Sequence, residues 1–396
     1  MTNKLNIRVQ KDCLLTQPEE SSFEIILLGG RGYGESICIY LGNSDWGIVD
    51  SFYNPGTAES APIAYLKSIN ADLDKVKFIV VTHYHSDHTG GMLEVVRKCP
   101  NAELYTSLAF DSETFSNILK ISKQNYSRKS AFHGFKEIQR HLDKTDREFK
   151  WLKQDSIVYK NSEPSFQPSR VVALSPNDST INFFHEQIGK GMNAFKMLSK
   201  RTKPNLTSVA LLVTVGNQSL LLSSDLERTD KANIGLDAIL TTYEFEDAKR
   251  VILFKIPHHG SENGYMTKTK RDSTLWERLL AEDKVLIGTP FNRLEEIKKL
   301  PTVEMTKIIS DFCNESFITS NPRTKKNRNK IVMPKIKERD PQVSKDLRKL
   351  GLDPYPLIND GGIIRCIIDE NTIDVMLTGN STKYSDLINP TIEAQR

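Results

Sequence analysis

No stretch of this chain approaches eighteen consecutive apolar residues, the length a membrane-spanning helix needs. Met1 to Arg8 shows no apolar core followed by a small-residue cleavage site. These absences exclude a spanning helix and a secretory leader, so the expectation is a soluble, cytoplasmic protein with no membrane partner. Cys-x-x-Cys pairs are also lacking. The five cysteines, Cys13, Cys38, Cys99, Cys313 and Cys366, are odd in number and widely scattered, and read as reduced structural thiols. Charge of one sign is not in strong excess: 54 basic against 50 acidic residues leave a net +4, too little to imply a nucleic-acid partner by itself. No internal repeat is visible.

What is present is enough chain, 396 residues, for a large core, and the reading is one elaborated α/β unit over 1–396. Short β-branched runs at Phe23–Leu28, Ser36–Leu41 and Trp46–Asp50, punctuated by glycine or Asn43, predict successive strands. Ala61 to Ile69 is spaced as an amphipathic helix, Val76–Thr82 as a buried strand, and Thr89-Gly90-Gly91-Met92 opens a helix through Lys98. Residues 105–200 are expected to be a helical insertion packed beside the core, with Phe135, Ile138 and Leu142 on its apolar face and a further helix from about Ser179 to Lys200. Strands return at Ser208–Val215 and Ser219–Ser223, joined by the turn Gly216-Asn217-Gln218, and again at Val251–Ile256 and Lys284–Gly288. Residues 323–345 are expected to be a basic, flexible loop, and 360–385 a closing β-hairpin.

Five of the eight histidines fall in two short segments, each following a predicted buried strand. His83 and His85, at i and i+2, leave an extended segment on the same side and can chelate one cation. Asp87 and His88, on the next turn, can reach a second. Imidazole nitrogen and carboxylate oxygen are the donors Zn²⁺ favours. Asp225, at the end of the Leu220–Leu222 strand, is the candidate bridging carboxylate. His259, or as the less favoured choice His258, completes the second metal.

The segment Thr82-His83-x-His85-x-Asp87-His88-Thr89-Gly90-Gly91 resembles the signature of the metallo-β-lactamase superfamily. That resemblance implies a four-layer αβ/βα sandwich and a hydrolase working through a zinc-activated water, with one or two Zn²⁺ ions or Mn²⁺ in their place. Gly32-Tyr33-Gly34-Glu35-Ser36, Val49-Asp50-Ser51, Leu174-Ser175-Pro176, Asn205-Leu206-Thr207-Ser208, Ser224-Asp225-Leu226-Glu227 and Pro257-His258-His259-Gly260-Ser261 are similar to a narrower branch, the ComEC-type competence hydrolase domain and its stand-alone cytoplasmic relatives. The likeness spans roughly residues 25–290, without the membrane channel. It implies a phosphodiesterase or nuclease acting on nucleic acid or nucleotide-like phosphodiesters, and an operon-encoded protein partner. It makes Asp50 a carboxylate that holds a ligand histidine in one tautomer. Asp87 is expected to orient the water or accept its proton, and whichever of His258 and His259 does not bind metal to contact phosphate or protonate the leaving oxygen. The sequence departs from the superfamily where a further histidine usually completes the first metal position; Asn205, Thr207 and Ser208 stand there, so that position is either weak or completed by Asn205, water or a substrate oxygen.

Plainer readings compete. Gly32-x-Gly34 reads as a hairpin glycine turn rather than a phosphate loop. The eight basic residues of Arg323–Arg339, set against Glu338 alone, carry no aromatic residue to stack on bases and read as a solvated loop. Because the scaffold supports acyl as well as phosphoryl chemistry, hydrolysis of an ester, lactone, thioester or β-lactam is the enzymatic alternative. A regulatory, partner-binding subunit with a degraded metal site is the non-enzymatic one.

Overall fold

The structure is a computed structural model that describes residues 4–30, 32, 34–53, 59–112, 115, 133–161, 167–191, 204–243, 250–267, 269, 274–292, 299–323 and 361–388. Its strands are β1 (Asn6–Gln10), β2 (Phe23–Gly29), β3 (Glu35–Tyr40), β4 (Trp46–Val49), β5 (Val76–Val81), β6 (Glu103–Ser107), β7 (Phe149–Leu152), β8 (Ile157–Asn161) and β9 (Ser169–Ala173). They continue with β10 (Leu211–Val215), β11 (Gln218–Leu222), β12 (Val251–Lys255), β13 (Leu280–Gly288), β14 (Ser316–Ile318), β15 (Gly362–Asp369), β16 (Thr372–Gly379) and β17 (Thr382–Lys383). One sheet runs β1-β16-β15-β2-β3-β4-β5-β6-β7 and the other β17-β14-β13-β12-β11-β10-β9-β8.

Strand periodicity explains the layering. Successive side chains point to opposite faces, so Ile25, Leu27, Ile37, Ile39, Val49, Phe78 and Val80 meet Leu211, Val213, Leu220, Leu222, Val285, Ile287 and Phe317 between the sheets. Their neighbours Ile26, Leu28, Cys38, Ile48, Ile79 and Val81 face outward, under Tyr65 and Leu66 of α1 (Ala61–Ser68), Val95 and Val96 of α3 (Met92–Lys98), and Phe135 and Ile138 of α4 (His133–Leu142). Phe184 of α5 (Asp178–Gly191) closes this layer. On the far side Leu221, Phe254, Leu286 and Ile318 pack under Leu236 and Ile239 of α6 (Leu236–Thr242), Trp276 of α8 (Thr274–Leu279) and Met305 and Ile309 of α9 (Val303–Phe312). Helix, sheet, sheet, helix is a four-layer αβ/βα sandwich, with both faces of each sheet buried. The remaining short helices, α2 (Ser86–Thr89) and α7 (Glu262–Tyr265), follow the two histidine segments.

Topology gathers polar strand ends at one place. β4 runs parallel to β5, and β11, β12 and β13 run parallel to one another, so the carboxyl ends of each set share an edge. β3 is antiparallel to β4, which sets Glu35, the first residue of β3, beside the end of β4. The two sheets are tied at this edge by Val209 N–H donating to the Thr82 carbonyl at 3.1 Å and Ser224 Oγ donating to Thr82 Oγ1 at 2.7 Å.

The helical insertion expected over 105–200 is corrected. Its described residues hold α4 and α5 but also β7, β8 and β9: β7 forms the edge of the first sheet and β8 and β9 the edge of the second. This stretch carries the chain from one sheet to the other. Phe149 and Leu152, buried and three apart around exposed Lys150 and Trp151, have the spacing of a helical face although they lie on an edge strand. Residues 113–114, 116–132, 162–166 and 192–200 lie outside the described residues, as does the basic segment apart from Arg323. The Gly216-Asn217 turn joins β10 and β11 in register Val215↔Gln218, and β15 and β16 pair as an antiparallel hairpin inside the first sheet. Cys38, Cys99, Cys313 and Cys366 are buried free thiols. No helix among the described residues is long and apolar enough to cross a membrane.

Candidate metal centre

Each side chain of the centre leaves from just beyond a buried strand. Val81 ends β5, and Thr82, His83 and His85 follow; α2 then turns Asp87 and His88 back toward the same point. Asp50 follows β4, Asp225 stands three residues beyond β11, and His258 and His259 lie in a turn after β12. Asp50, Ser224, His258 and His259 all adopt left-handed backbone (φ +57°, +47°, +47° and +53°). For non-glycine residues such conformations cost about 1–3 kcal/mol each and persist where the surroundings over-determine them. Gly91, at φ +74°, lets the chain leave α2 and enter α3 directly.

His83, Asp87, His88, Asp225 and His259 are buried and His85 is partly exposed. Ligand atoms of Asp87, His88, Asp225 and His259 lie within 4.8 Å of one another, and so do those of His83, His85 and Asp225. The two sets share Asp225. His88 Nε2 is 3.3 Å from Asp225 Oδ1, while His259 Nε2 is 3.5 Å from Asp87 Oδ2 and 3.6 Å from Asp225 Oδ2. His83 Nε2 and His85 Nδ1 are 3.0 Å apart. A tetrahedral ion with bonds of about 2.0–2.2 Å separates its ligand atoms by roughly 3.3–3.6 Å, so the spacings among Asp87, His88, Asp225 and His259 suit a divalent cation of that size. His88 Nε2, Asp225 Oδ1 and His259 Nε2 are moreover buried without a hydrogen-bond partner. Orphaned atoms of this kind are expensive in a folded interior, and a shared cation satisfies all three together.

The rings are held from behind. Asp50 accepts from Thr82 N–H at 2.8 Å, from Thr82 Oγ1 at 2.6 Å and from His88 Nδ1 at 2.8 Å. Thr82 Oγ1, its proton given to Asp50, lies 3.0 Å from His83 Nδ1 and accepts from it. His259 Nδ1 stands 2.9 Å from Thr289 Oγ1 in the same way. In each case the Nε2 lone pair is left facing the centre.

Electrostatics agree with this division. Burial, reinforced by neighbouring imidazoles, pushes His83 well below the ordinary value, and burial brings His85 to about 4, so both rings are neutral at pH 7. Burial works against ionisation of Asp87 and Asp225, but the surrounding histidines outweigh it and hold both carboxyls well below the usual range. Burial also opposes charge on His88, yet Asp225 and Asp50 drive it well above the ordinary value. Without a metal, a proton on His88 answers the negative field of the centre.

His258 stands apart from both ligand sets. Its Nδ1 is 3.2 Å from Glu227 Oε1 and its Nε2 is 3.2 Å from Asn205 Nδ2; Asn205 Nδ2 in turn donates to Glu227 Oε1 at 2.9 Å. Asn205 Oδ1 is buried without a partner. Thus the structure brings His83, His85, Asp87, His88, Asp225 and His259 together, sets Asp50 behind them and pairs Asn205 with His258. His133, His141 and His185 join none of these groups. The sequence reading did not single out Glu35, Lys255, Thr289 or Glu227. Lys255 left a signal, a lysine closing the run Val251-Ile252-Leu253-Phe254, which demands a buried counter-charge.

Residues 30–113 match the family model of the metallo-beta-lactamase superfamily. No curated protein sequence matches the chain. Among solved structures, the chain is similar to a metallo-beta-lactamase with a HARLDQ motif from Cronobacter sakazakii (12% identity, 58% of this chain and 76% of that one covered, TM-score 0.33). It is also similar to the metallo-beta-lactamase MIM-2 (14% identity, 65% and 78% covered, TM-score 0.32). The matched residues 30–113 carry His83, His85, Asp87 and His88, so this part of the chain is similar to a metallo-β-lactamase superfamily domain.

Proposed function

We propose that this protein is a zinc-dependent phosphodiesterase or nuclease that cleaves nucleic acid or nucleotide-like phosphodiesters. The superfamily match and the buried cluster support a metal-dependent hydrolase. The observation that carries the reading is the convergence of two ligand sets on the shared Asp225, with His88 Nε2, Asp225 Oδ1 and His259 Nε2 of one set buried without a hydrogen-bond partner. The substrate class comes from the similarity of Pro257-His258-His259-Gly260-Ser261 and its companion segments to the ComEC-type branch.

His83, His85, Asp87, His88, Asp225 and His259 would hold the divalent ions, which when bound would supply Lewis acidity to a phosphoryl oxygen and lower the pKa of water from near 16 to about 7. Asp87, kept ionised by the imidazoles around it, orients the attacking water. His258, 21% exposed in its side chain and outside the ligand sets, delivers a proton to the leaving oxygen, with Glu227 balancing the charge of the imidazolium.

The test is incubation of the purified chain with Zn²⁺ or Mn²⁺ against single- and double-stranded DNA and RNA and bis(p-nitrophenyl) phosphate. Nitrocefin, p-nitrophenyl acetate and a lactone form the acyl arm, and His259→Ala is the control. Turnover of phosphodiesters that the control lacks is expected. Acyl turnover alone, or silence on every substrate, overturns the proposal.

A further inference from the structure

We propose that Glu35, Lys255 and Thr289 form a buried relay that aims His259 at the cation position it shares with Asp87, His88 and Asp225. The inference rests on the metal-centre reading but not on the choice of substrate.

Lys255 and Glu35 are 0% and 2% exposed. Taking two charges out of water costs several kcal/mol per ion, and an apolar pair of similar volume commonly serves packing as well or better. Stability alone therefore does not account for a lysine at the end of so apolar a strand. The geometry does. Lys255 Nζ donates to the Ser224 carbonyl at 2.8 Å and lies 2.6 Å from Glu35 Oε1, with the Asp225 Oδ1 charge 3.8 Å away. The Ser224 carbonyl also receives His258 N–H at 3.1 Å. The ammonium thus pins the left-handed turn that delivers Asp225 and ties it to the histidine turn.

Glu35 works in the other direction. Its Oε2 accepts from Thr289 Oγ1 at 2.6 Å. With that proton committed, Thr289 Oγ1 accepts from His259 Nδ1 and fixes the ring's proton there. The Nε2 lone pair is left for the cation position. Lys255 compensates Glu35, so the relay orients His259 without adding net negative charge. It mirrors the link from Asp50 through Thr82 to His83 on the first sheet, and it is built from the end of β13 and the start of β3.

The test is zinc titration of the metal-free full-length chain in competition with a chromophoric chelator. Thr289→Val removes the hydroxyl at near-constant volume, and Glu35→Gln removes the charge while keeping an acceptor. Each is expected to weaken one zinc by about 10–100-fold, as loss of outer supports of metal ligands typically does; Thr289→Ser restores it. In a His259→Ala background Thr289→Val causes no further loss, whereas in a His85→Ala background it causes the full loss. Equal loss in both backgrounds indicates general loosening and overturns the relay, as does no loss at all. A wild-type chain that takes up no zinc fells the metal-centre reading with it; a wild type that binds zinc while the variants bind alike fells the relay alone.

Discussion

Replacing Asp50 by asparagine separates orientation from folding. Asn is one of the few residues that tolerates the left-handed backbone at this position, φ +57°, so the turn after β4 is expected to survive. The amide keeps an oxygen for Thr82 N–H. At the other terminus the NH2 group meets both protons that Asp50 Oδ2 now accepts, from Thr82 Oγ1 and His88 Nδ1. The hydroxyl can rotate. His88 can avoid a donor facing a donor only by moving its proton to Nε2, the atom 3.3 Å from Asp225 Oδ1. One of the four groups at that cation position then offers no lone pair. Loss of such a partner weakens metal affinity about 10–100-fold, which at 1.36 kcal/mol per tenfold is about 1.4–2.7 kcal/mol. Competition titration with zinc measures it, and thermal melting of the metal-free variant checks that the fold is intact. An Asp50→Asn chain that is folded and titrates zinc like wild type refutes the claim that Asp50 sets the His88 tautomer.

Three further outcomes are expected. His259→Ala lowers the zinc content of the chain, read by elemental analysis, and abolishes turnover; His258→Ala keeps the zinc and loses about 10²–10⁴-fold in rate, and loss of zinc from His258→Ala instead reverses the two roles. In the metal-free chain, His83 and His85 titrate below the ordinary 6.5, so the unfolded state binds more protons between 6.5 and about 4, and the stability they contribute falls on acidification through that window. His88 titrates above 6.5, so its contribution is complete below 6.5 and fades as pH rises through the raised value; urea midpoints should peak near pH 6.5, and a steady climb from pH 5 to 8.5 contradicts this. Gly34→Ala sets a Cβ 2.3 Å from Phe52 Cβ and 3.0 Å from the Asp87 carbonyl, and overpacking of this kind costs about 1–3 kcal/mol by urea unfolding; wild-type stability and zinc affinity together count against a tight contact there.

The legible part of the site was local. His83, His85, Asp87 and His88 lie within six positions, and a strand pattern before them fixes the side from which they emerge. Asp225 was legible as a carboxylate at a strand end beside the demand for a bridging ligand, and Asp50 only through the family resemblance. Glu35 and Thr289 are different: one opens a strand, the other follows one, and their roles exist only once the two sheets pack. The choice between His258 and His259 also depended on the turn, since both have left-handed backbone and only His259 points into the ligand set. The layers were readable from strand periodicity, but the crossing from β7 to β8 was not, because an edge strand exposes the alternation that marks a buried one.

His83, His85, Asp87 and His88 hang from one sheet and Asp225 and His259 from the other, and polar contacts of Thr82 and Glu35 tie the two at this edge. A divalent ion gripped by both therefore works as a clasp across the seam of the sandwich. At a free concentration a thousandfold above its dissociation constant such an ion adds about 4 kcal/mol to folding stability. Chelation is then expected to loosen the two halves of the molecule against each other as well as silence the chemistry, and resistance to heat becomes a gauge of how many molecules are fit to react.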